Sequence, residues 1–419
     1  WLAIARGAAA WVPLVLWNLG HGEAGWRFQF VDRHPWTPQI EGWRFIAVQA
    51  ALVTPLLLAA LIQAAMRFRP RFPVAQRWLA LSGGLTLLGF FLLGFVADAD
   101  RASFHWPLPG YLALLALVPA VLAGWSRGMR AATWGCLIAA CGVALAGQVM
   151  VASSDGRVRL ADAGMHPANF SGWSELAEAV RVRRAALPEG TRLIADHFKL
   201  GAELGFALGE PDIAVLDHPL NHRHGRARQL QDWGLLHEGG RDGWQLLVVG
   251  ASDVKFSALL AHYQSLCARL GPLPPPDVVE VDAGTRRFDL LALPPDPAPA
   301  PCVTPAVAHV DLPDDGETVG RRFVVRGWAV KDEAGIGRIV VRLDDVAVAE
   351  ARREADNAWV MNFLGGTSRD PEAPRVQFET VVELADGTAG WRRLSLDLYG
   401  GDGSVERWRG PRVRIAPAR

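Results

Sequence analysis

The hydrophobic pattern changes character at about residue 150. Before that point apolar residues form long runs separated by short polar links; after it they come in the brief periodic bursts of water-soluble helices and strands. A helix needs roughly 20 apolar residues to cross a hydrocarbon core. Residues 43–66, 78–97, 109–125 and 131–150 meet or approach that length, and 4–19 form a shorter fifth run. None has an acidic residue inside, as the cost of burying charge in lipid demands. Pro55 and Pro119 fall within runs, which is tolerable where neighbouring helices cover the freed carbonyls. The pattern therefore predicts a multispanning α-helical membrane region over 1–150, with five spans.

Residues 151–295 alternate helical and strand patterns. WSELAEAVRVRRAAL (173–187) has a helical period, with Ser171 as its candidate cap. TRLIADHF (191–198), DIAVLDH (212–218) and WQLLVVG (244–250) are predicted strands. KLGAELGFALG (199–209) and SDVKFSALLAHYQSLCARLG (252–271) are predicted helices, and VVEVDAG with RRFDLLAL a closing hairpin. This order suggests a small α/β layer domain. The Pro-rich tract 296–306 is expected to be an extended linker. In 307–419, short alternating runs such as RRFVVRGWAV and VQFETVVEL are separated by Gly and Asp turns. They predict an immunoglobulin-like β-sandwich, with Trp328 and Trp359 as packing residues.

Charge sets the orientation. Arg67, Arg69, Arg71 and Arg77 crowd the link between the second and third runs, and Arg127 and Arg130 the link between the fourth and fifth. The positive-inside bias places both links in the cytoplasm, so loops 20–42 and 98–108 face outward. An odd number of spans then puts everything after residue 150 on that outer side, the periplasm of a bacterial cell. With 43 basic and 43 acidic residues the chain is balanced, which gives no reason to expect nucleic acid as a partner. Four cysteines are too few for a disulfide scaffold. Cys136 and Cys141 read as small buried hydrophobes, and the Cys267–Cys302 spacing permits a bond without demanding one. The sequence starts at Trp1 without a signal-peptide pattern, and the expectation is an N-terminally truncated chain.

VPLVLWNLGHGEAGWRFQFVDRHPW (12–36), FHWPLPGYLAL (104–114), ADHFKLGAELGFALGE (195–210) and NHRHGRARQLQDW (221–233) follow one another in an order that fits the spans. Over roughly residues 1–295 the chain resembles bacterial membrane glycosyltransferases of family 39. These belong to the dolichyl-phosphate-mannose mannosyltransferase-like superfamily, which includes the aminoarabinose transferases. The resemblance implies a C-type glycosyltransferase fold, present here in part. It implies a polyprenyl-phosphate-linked sugar as donor and a lipid, polysaccharide or protein acceptor at the cell envelope. No residue maps onto the family's catalytic acidic residue, so the catalytic group is left unassigned.

Such a donor calls for cations at its phosphate and aromatic faces for its sugar. The outward loops offer Arg27, Arg33, His34, Arg101 and His105 as donor-phosphate contacts, and Trp26, Trp36 and Trp106 as sugar or acceptor contacts. The alternative role for all of them is interfacial anchoring against lipid headgroups. Asp32, Asp98 and Asp100 are expected to pair with the adjacent arginines. Asn18, an amide at the end of an apolar run, is expected to bond a neighbouring helix or shape the outward loop. Lys199 and Glu203 form a helical i,i+4 pair, with Lys199 a candidate for the rim of a cleft. His218, His222 and His224 could hold zinc only as an extended loop. No thiolate or helical pair supports them, so no metal ligands are assigned, although the reading leaves room for a divalent cation. The alternative to an enzyme is a non-catalytic membrane scaffold that displays periplasmic binding domains.

Overall fold

The computed structural model describes residues 2–34, 36–97, 103–163, 165, 171–295, 301–385 and 388–417. The chain divides into two compact units, residues 1–157 with 223–228, and residues 158–222 with 229–419.

The first unit is helical. α1 (Leu2–Gly20) and the short α2 (Ala24–Arg27) lead into a π-helical turn at Phe28–Asp32. Then come α3 (Gly42–Val53), α4 (Pro55–Ala65), α5 (Val74–Leu93), α6 (Leu108–Leu115), α7 (Val118–Leu122) and α8 (Arg127–Ala152). Among the described residues α5 and α8 are long and apolar enough to cross a membrane, and a third span results if α3 and Pro55–Phe68 count as one. The difference from five uninterrupted runs has local causes. The run 43–66 bends by 104° at Thr54–Pro55. Pro55 has no N–H with which to continue a helix, and Thr54 takes a φ of 68°. The Thr54 hydroxyl accepts the Leu57 N–H at 3.4 Å, so the break is also a capped helix start. The run 109–125 divides at Ala116–Leu117, just ahead of Pro119. α1 is 19 residues long with Pro13 inside.

Packing within this unit uses small residues. A Cβ on Gly83 of α5 would come 2.9 Å from the Gly110 carbonyl oxygen of α6, and one on Gly110 the same distance from that of Gly83. Backbone meets backbone there, as in helix pairs that associate in lipid. Gln49 of α3 donates to the Phe104 carbonyl at 2.8 Å and accepts from Tyr111 of α6 at 2.9 Å. Cys136 and Cys141 are exposed on α8 rather than buried, because α8 packs little of its surface against the other helices.

α9 (Ser154–Asp162) spans the division at residue 157, and α10 (Trp173–Ala185) follows in the second unit. The α/β layer follows in the order β1 (Arg192–Ala195), α11 (Phe198–Leu208), β2 (Ala214–Leu216), α12 (Pro219–Arg223), α13 (Ala227–Asp232), β3 (Leu236–His237), β4 (Gln245–Val249), α14 (Leu259–Leu270), β5 (Asp277–Val281) and β6 (Arg286–Leu293). The sheet order is β3-β2-β1-β4-β6-β5. The first four strands are parallel, and the β5–β6 hairpin adds antiparallel to β4. Alternate side chains feed two cores: Leu193 and Ala195 pack with α10 and α11, whereas Ile194 packs with α14. α11 lies close on the sheet because Gly201 has no side chain; a Cβ there would come 2.7 Å from Val215. Ser171 does not cap α10. The N-cap is Gly172, with φ 80° and no side-chain bond, and the Ser171 carbonyl accepts from Arg286 instead.

The C-terminal part resembles a β-sandwich. Its elements are β7 (Val307–Leu312), β8 (Thr318–Val319), β9 (Arg322–Val330), β10 (Ile336–Leu343), β11 (Val346–Ala351), β12 (Arg353–Asp356), α15 (Ala358–Phe363), β13 (Arg375–Glu383), β14 (Gly390–Gly400) and β15 (Val405–Ile415). One sheet runs β11-β10-β14-β15-β8 and the other β12-β13-β9-β7. Both contribute to one apolar core, including Val325, Ile339, Phe378 and Leu396. The expected linker does not hold the two parts apart. Cys302 is disulfide-bonded to Cys267 of α14, with Cα atoms 5.9 Å apart, and the Ala306 N–H donates to Glu406 at 2.9 Å. α14 then shares a core with Trp328, Val330 and Val360, and Phe256 stacks on Trp328 at 5.7 Å. Trp328 is buried, as expected of a packing residue; Trp359 is exposed and stacks on Phe363.

Candidate functional site

Two groups of polar side chains stand out, one in each unit. In the helical unit the π-helical turn and the loop before α6 meet. The Arg33 guanidinium lies 4.9 Å from the Trp106 ring centre and 6.0 Å from that of Phe28. His34, 7% exposed, meets Trp36 at 5.7 Å and Trp106 at 5.9 Å, edge to face in both cases. The Trp36 indole N–H donates to the Phe30 carbonyl at 2.7 Å. Four residues expected at the donor therefore form one cation–aromatic group, although 70 or more positions separate Trp106 from the others.

Of the remaining candidates, those among the described residues stand apart from this group. Arg27 is exposed and lies 3.9 Å from Asp32, a weak surface pair. The Trp26 backbone N–H donates to Asn18. His105 is exposed and bonds the Ser103 hydroxyl at 2.8 Å. Arg101, Asp98 and Asp100 lie outside the described residues. Asn18 shapes the loop as its position suggests: its Oδ1 accepts the N–H groups of Gly25 and Trp26 at 3.0 and 3.1 Å, and its Nδ2 donates to the Leu14 carbonyl.

The second group lies at the carboxyl ends of the parallel strands. Asp196 and His197 follow β1, Asp217 and His218 follow β2, and Asp253 follows β4. The chain leaves β1 for β2 on one side and later returns to β4 on the other. The crevice beyond β1 is therefore a topological switch point, where open α/β sheets bind ligands. His262 enters from α14, and its Nε2 contacts Asp196 Oδ2 at 2.9 Å. The nearest ligand atoms of Asp196, His218 and His262 lie within 4.8 Å of one another, so one divalent cation can reach all three.

Beside them His197 Nε2 meets Asp253 at 3.1 Å, Lys199 donates to Asp253 at 3.3 Å, and Arg286 lies 3.8 Å from it. Lys199 does reach this crevice. Gly250 makes room for the group, since a Cβ there would come 3.0 Å from both His197 Nε2 and Asp253 Oδ2. Arg286 is itself buried, stacked 4.1 Å from the Trp173 ring and 4.5 Å from that of Phe288.

Electrostatics separate the members. Burial pushes the Asp196 carboxyl upward, but His262, then His218 and His197, together hold it below the usual carboxylate range. Burial works against the His262 cation, yet Asp196 overrides it and raises that imidazole. His218, mainly through burial, drops to about 4 and is neutral near pH 7. Asp253 is raised by burial but brought down to about 2 by the His197 bond, Lys199 and Arg286.

Of the three histidines considered for zinc from the sequence, only His218 joins this group. His222 is exposed and bonds Asp217 at 2.6 Å, and His224 is exposed as well. Asp196, His197, Asp253 and His262 were not picked out. Three of these were legible in principle, because each follows an apolar strand, in LIADH and VVGASD, as His218 does in AVLDH. His262 gives no such signal; it sits mid-helix, and only packing turns it toward Asp196.

No protein-family model matches the chain, and no curated protein does. Among solved structures it is similar to an endo-β-1,4-mannanase from Thermotoga petrophila at 13% identity and a TM-score of 0.19. That likeness covers 26% of this chain and 20% of the mannanase. It is also similar to the fibronectin(III)-like modules of CbhA from Clostridium thermocellum, at 15% identity and a TM-score of 0.18, over 27% of this chain and 99% of that one. Neither score carries an argument about fold or activity.

Proposed function

We propose that this protein is a multispanning transferase of the bacterial cytoplasmic membrane. It takes a sugar from a polyprenyl-phosphate donor at the outer face and gives it to a lipid, polysaccharide or protein acceptor of the envelope. The observation that carries the reading is the convergence of Arg33, His34, Trp36 and Trp106, from two sequence-remote loops, into one cation–aromatic group. In the transfer, the acceptor hydroxyl attacks the anomeric carbon and the bond to the phosphate oxygen breaks. The departing phosphate gains charge, which the guanidinium stabilises, while the aromatic rings offer faces to the sugar. The hydroxyl proton passes to a carboxylate that is not assigned within this chain. The Cys267–Cys302 disulfide supports an oxidising location for the second unit, on the outer side of the membrane.

The reading is tested by Arg33→Gln and Arg33→Lys in the protein, assayed by release of polyprenyl phosphate per folded molecule. The loss of one charge-assisted bond predicts roughly a tenfold to hundredfold fall for Gln, with partial recovery for Lys because the planar fork is absent. Near-normal turnover in both variants removes Arg33 from the donor site and leaves it an interfacial anchor.

A further inference from the structure

A buried carboxylate normally uses all its oxygens, because each unpaired one carries an uncompensated desolvation cost. Asp196 does not. It is fully buried, and its Oδ2 meets His262, but its Oδ1 has no hydrogen-bond partner among the described residues. Next to it His197 Nδ1 is buried in the same condition. These orphaned atoms adjoin a trio drawn from three separate elements, β1's end, β2's end and α14, at the switch point of the sheet.

We propose that Asp196, His218 and His262 bind one zinc-class transition-metal dication, with a fourth position open to water or an anionic oxygen. Two imidazoles and a carboxylate are the mixed nitrogen and oxygen donors that suit zinc, whereas magnesium and calcium prefer shells of oxygen. Three protein ligands match the open arrangement of catalytic sites rather than the closed four-ligand arrangement of structural ones. The ion replaces the proton that bridges His262 Nε2 and Asp196 Oδ2, and that proton leaves to solvent past His262, whose side chain is 12% exposed. His218 Nδ1 accepts the Leu220 N–H at 3.0 Å, so the neutral ring carries its proton on Nε2 and its one lone pair on Nδ1. The ion needs that lone pair, so its binding breaks the hydrogen bond from the Leu220 N–H. The His197–Asp253 pair lies alongside as an outer ring that steadies the Asp196 segment. This site is independent of the donor reading in the helical unit, and its test involves no sugar transfer.

The experiment uses the whole chain in detergent with Cys136→Ala and Cys141→Ala, which removes the free thiols and keeps the disulfide. After chelator treatment, zinc is returned by equilibrium dialysis and the bound metal measured; cobalt(II) is loaded in parallel for its visible spectrum. The expected result is one zinc per chain that excess magnesium does not displace, and a cobalt spectrum of four-coordinate nitrogen and oxygen ligation without a thiolate band. Zinc raises the unfolding temperature of this parent. Asp196→Asn and His262→Gln weaken binding by more than the roughly tenfold to hundredfold that loss of an outer-shell partner costs. His222→Gln, on the exposed neighbour, leaves binding unchanged. Failure of the parent to take up stoichiometric zinc, or full retention by both ligand variants, overturns the proposal and leaves Asp196–His262 an ion pair. Should the variants not fold, the parent's cobalt spectrum decides alone, and absence of the four-coordinate bands counts against the site.

Discussion

Asp253 shows how much one side chain can carry. It is mostly buried and takes contacts from His197, Lys199 and Arg286, which bring its pKa to about 2 against the pull of burial. An unfolded aspartate titrates near ~3.9. The folded value is the lower one, so the contribution to stability is complete above the unfolded pKa and is lost as pH falls toward the folded one. The shift corresponds to about 2–3 kcal/mol. Asp253→Asn should therefore lower the unfolding free energy of the second unit by roughly that amount at about pH 7, and by much less near pH 2. Denaturant titrations followed by tryptophan fluorescence measure both. An equal loss at the two pH values means that the carboxylate charge is not what stabilises the crevice. Arg286 is the other decisive residue here: its stacking on Trp173 and its bond to the Ser171 carbonyl tie the entry of α10 to β6.

At the scale of the element, glycine and proline decide where the helices of the first unit run. Thr54–Pro55 turns a continuous apolar run into two helices at 104°, and Gly83 with Gly110 lets α5 and α6 approach backbone to backbone. Gly83→Ala should force those helices apart and cost about 1–3 kcal/mol, as overpacking does. Gly89→Ala in the same helix meets nothing within 4 Å and should be neutral or slightly stabilising through helix propensity. Thermal unfolding of the two variants in one detergent makes the comparison. Similar midpoints would mean that the α5–α6 contact is loose enough to absorb a methyl group. In the second unit the equivalent device is Gly201, which seats α11 on β2.

At the scale of the whole molecule, the proposed function predicts that the loop 20–42 and the second unit lie on one side of the membrane and the start of α8 on the other. Single cysteines test this in a chain lacking Cys136 and Cys141. Glu41→Cys, Gly128→Cys and Asp345→Cys are exposed positions, and the last has a side chain 91% accessible. An impermeant thiol reagent applied to cells with a permeable outer layer should label the first and third and spare the second. Labelling of Gly128→Cys alone would invert the arrangement.

The sequence by itself determined the change of pattern near residue 150, the apolar runs, α10, β1, α11, β2, β4, α14 and the closing hairpin of the α/β layer, and such sandwich strands as β9 and β13. These follow from local periodicity, which side-chain burial imposes on each element separately. It did not determine that two runs are broken. Propensity toward apolar helix is spread over twenty positions, whereas the sharp bend in the run 43–66 depends on the φ of one residue, Thr54, before a proline. The aromatic and basic residues of the outward loops were legible as a class, but their meeting at Trp106 was not, because 70 or more residues of chain separate the partners. The Asp196, His218 and His262 trio is likewise a product of tertiary structure. Strand order brings the ends of β1 and β2 side by side, and the packing of α14 on the sheet turns His262 toward Asp196. Residues distant in sequence become neighbours only when the sheet is assembled, and no local pattern records which strand ends will adjoin.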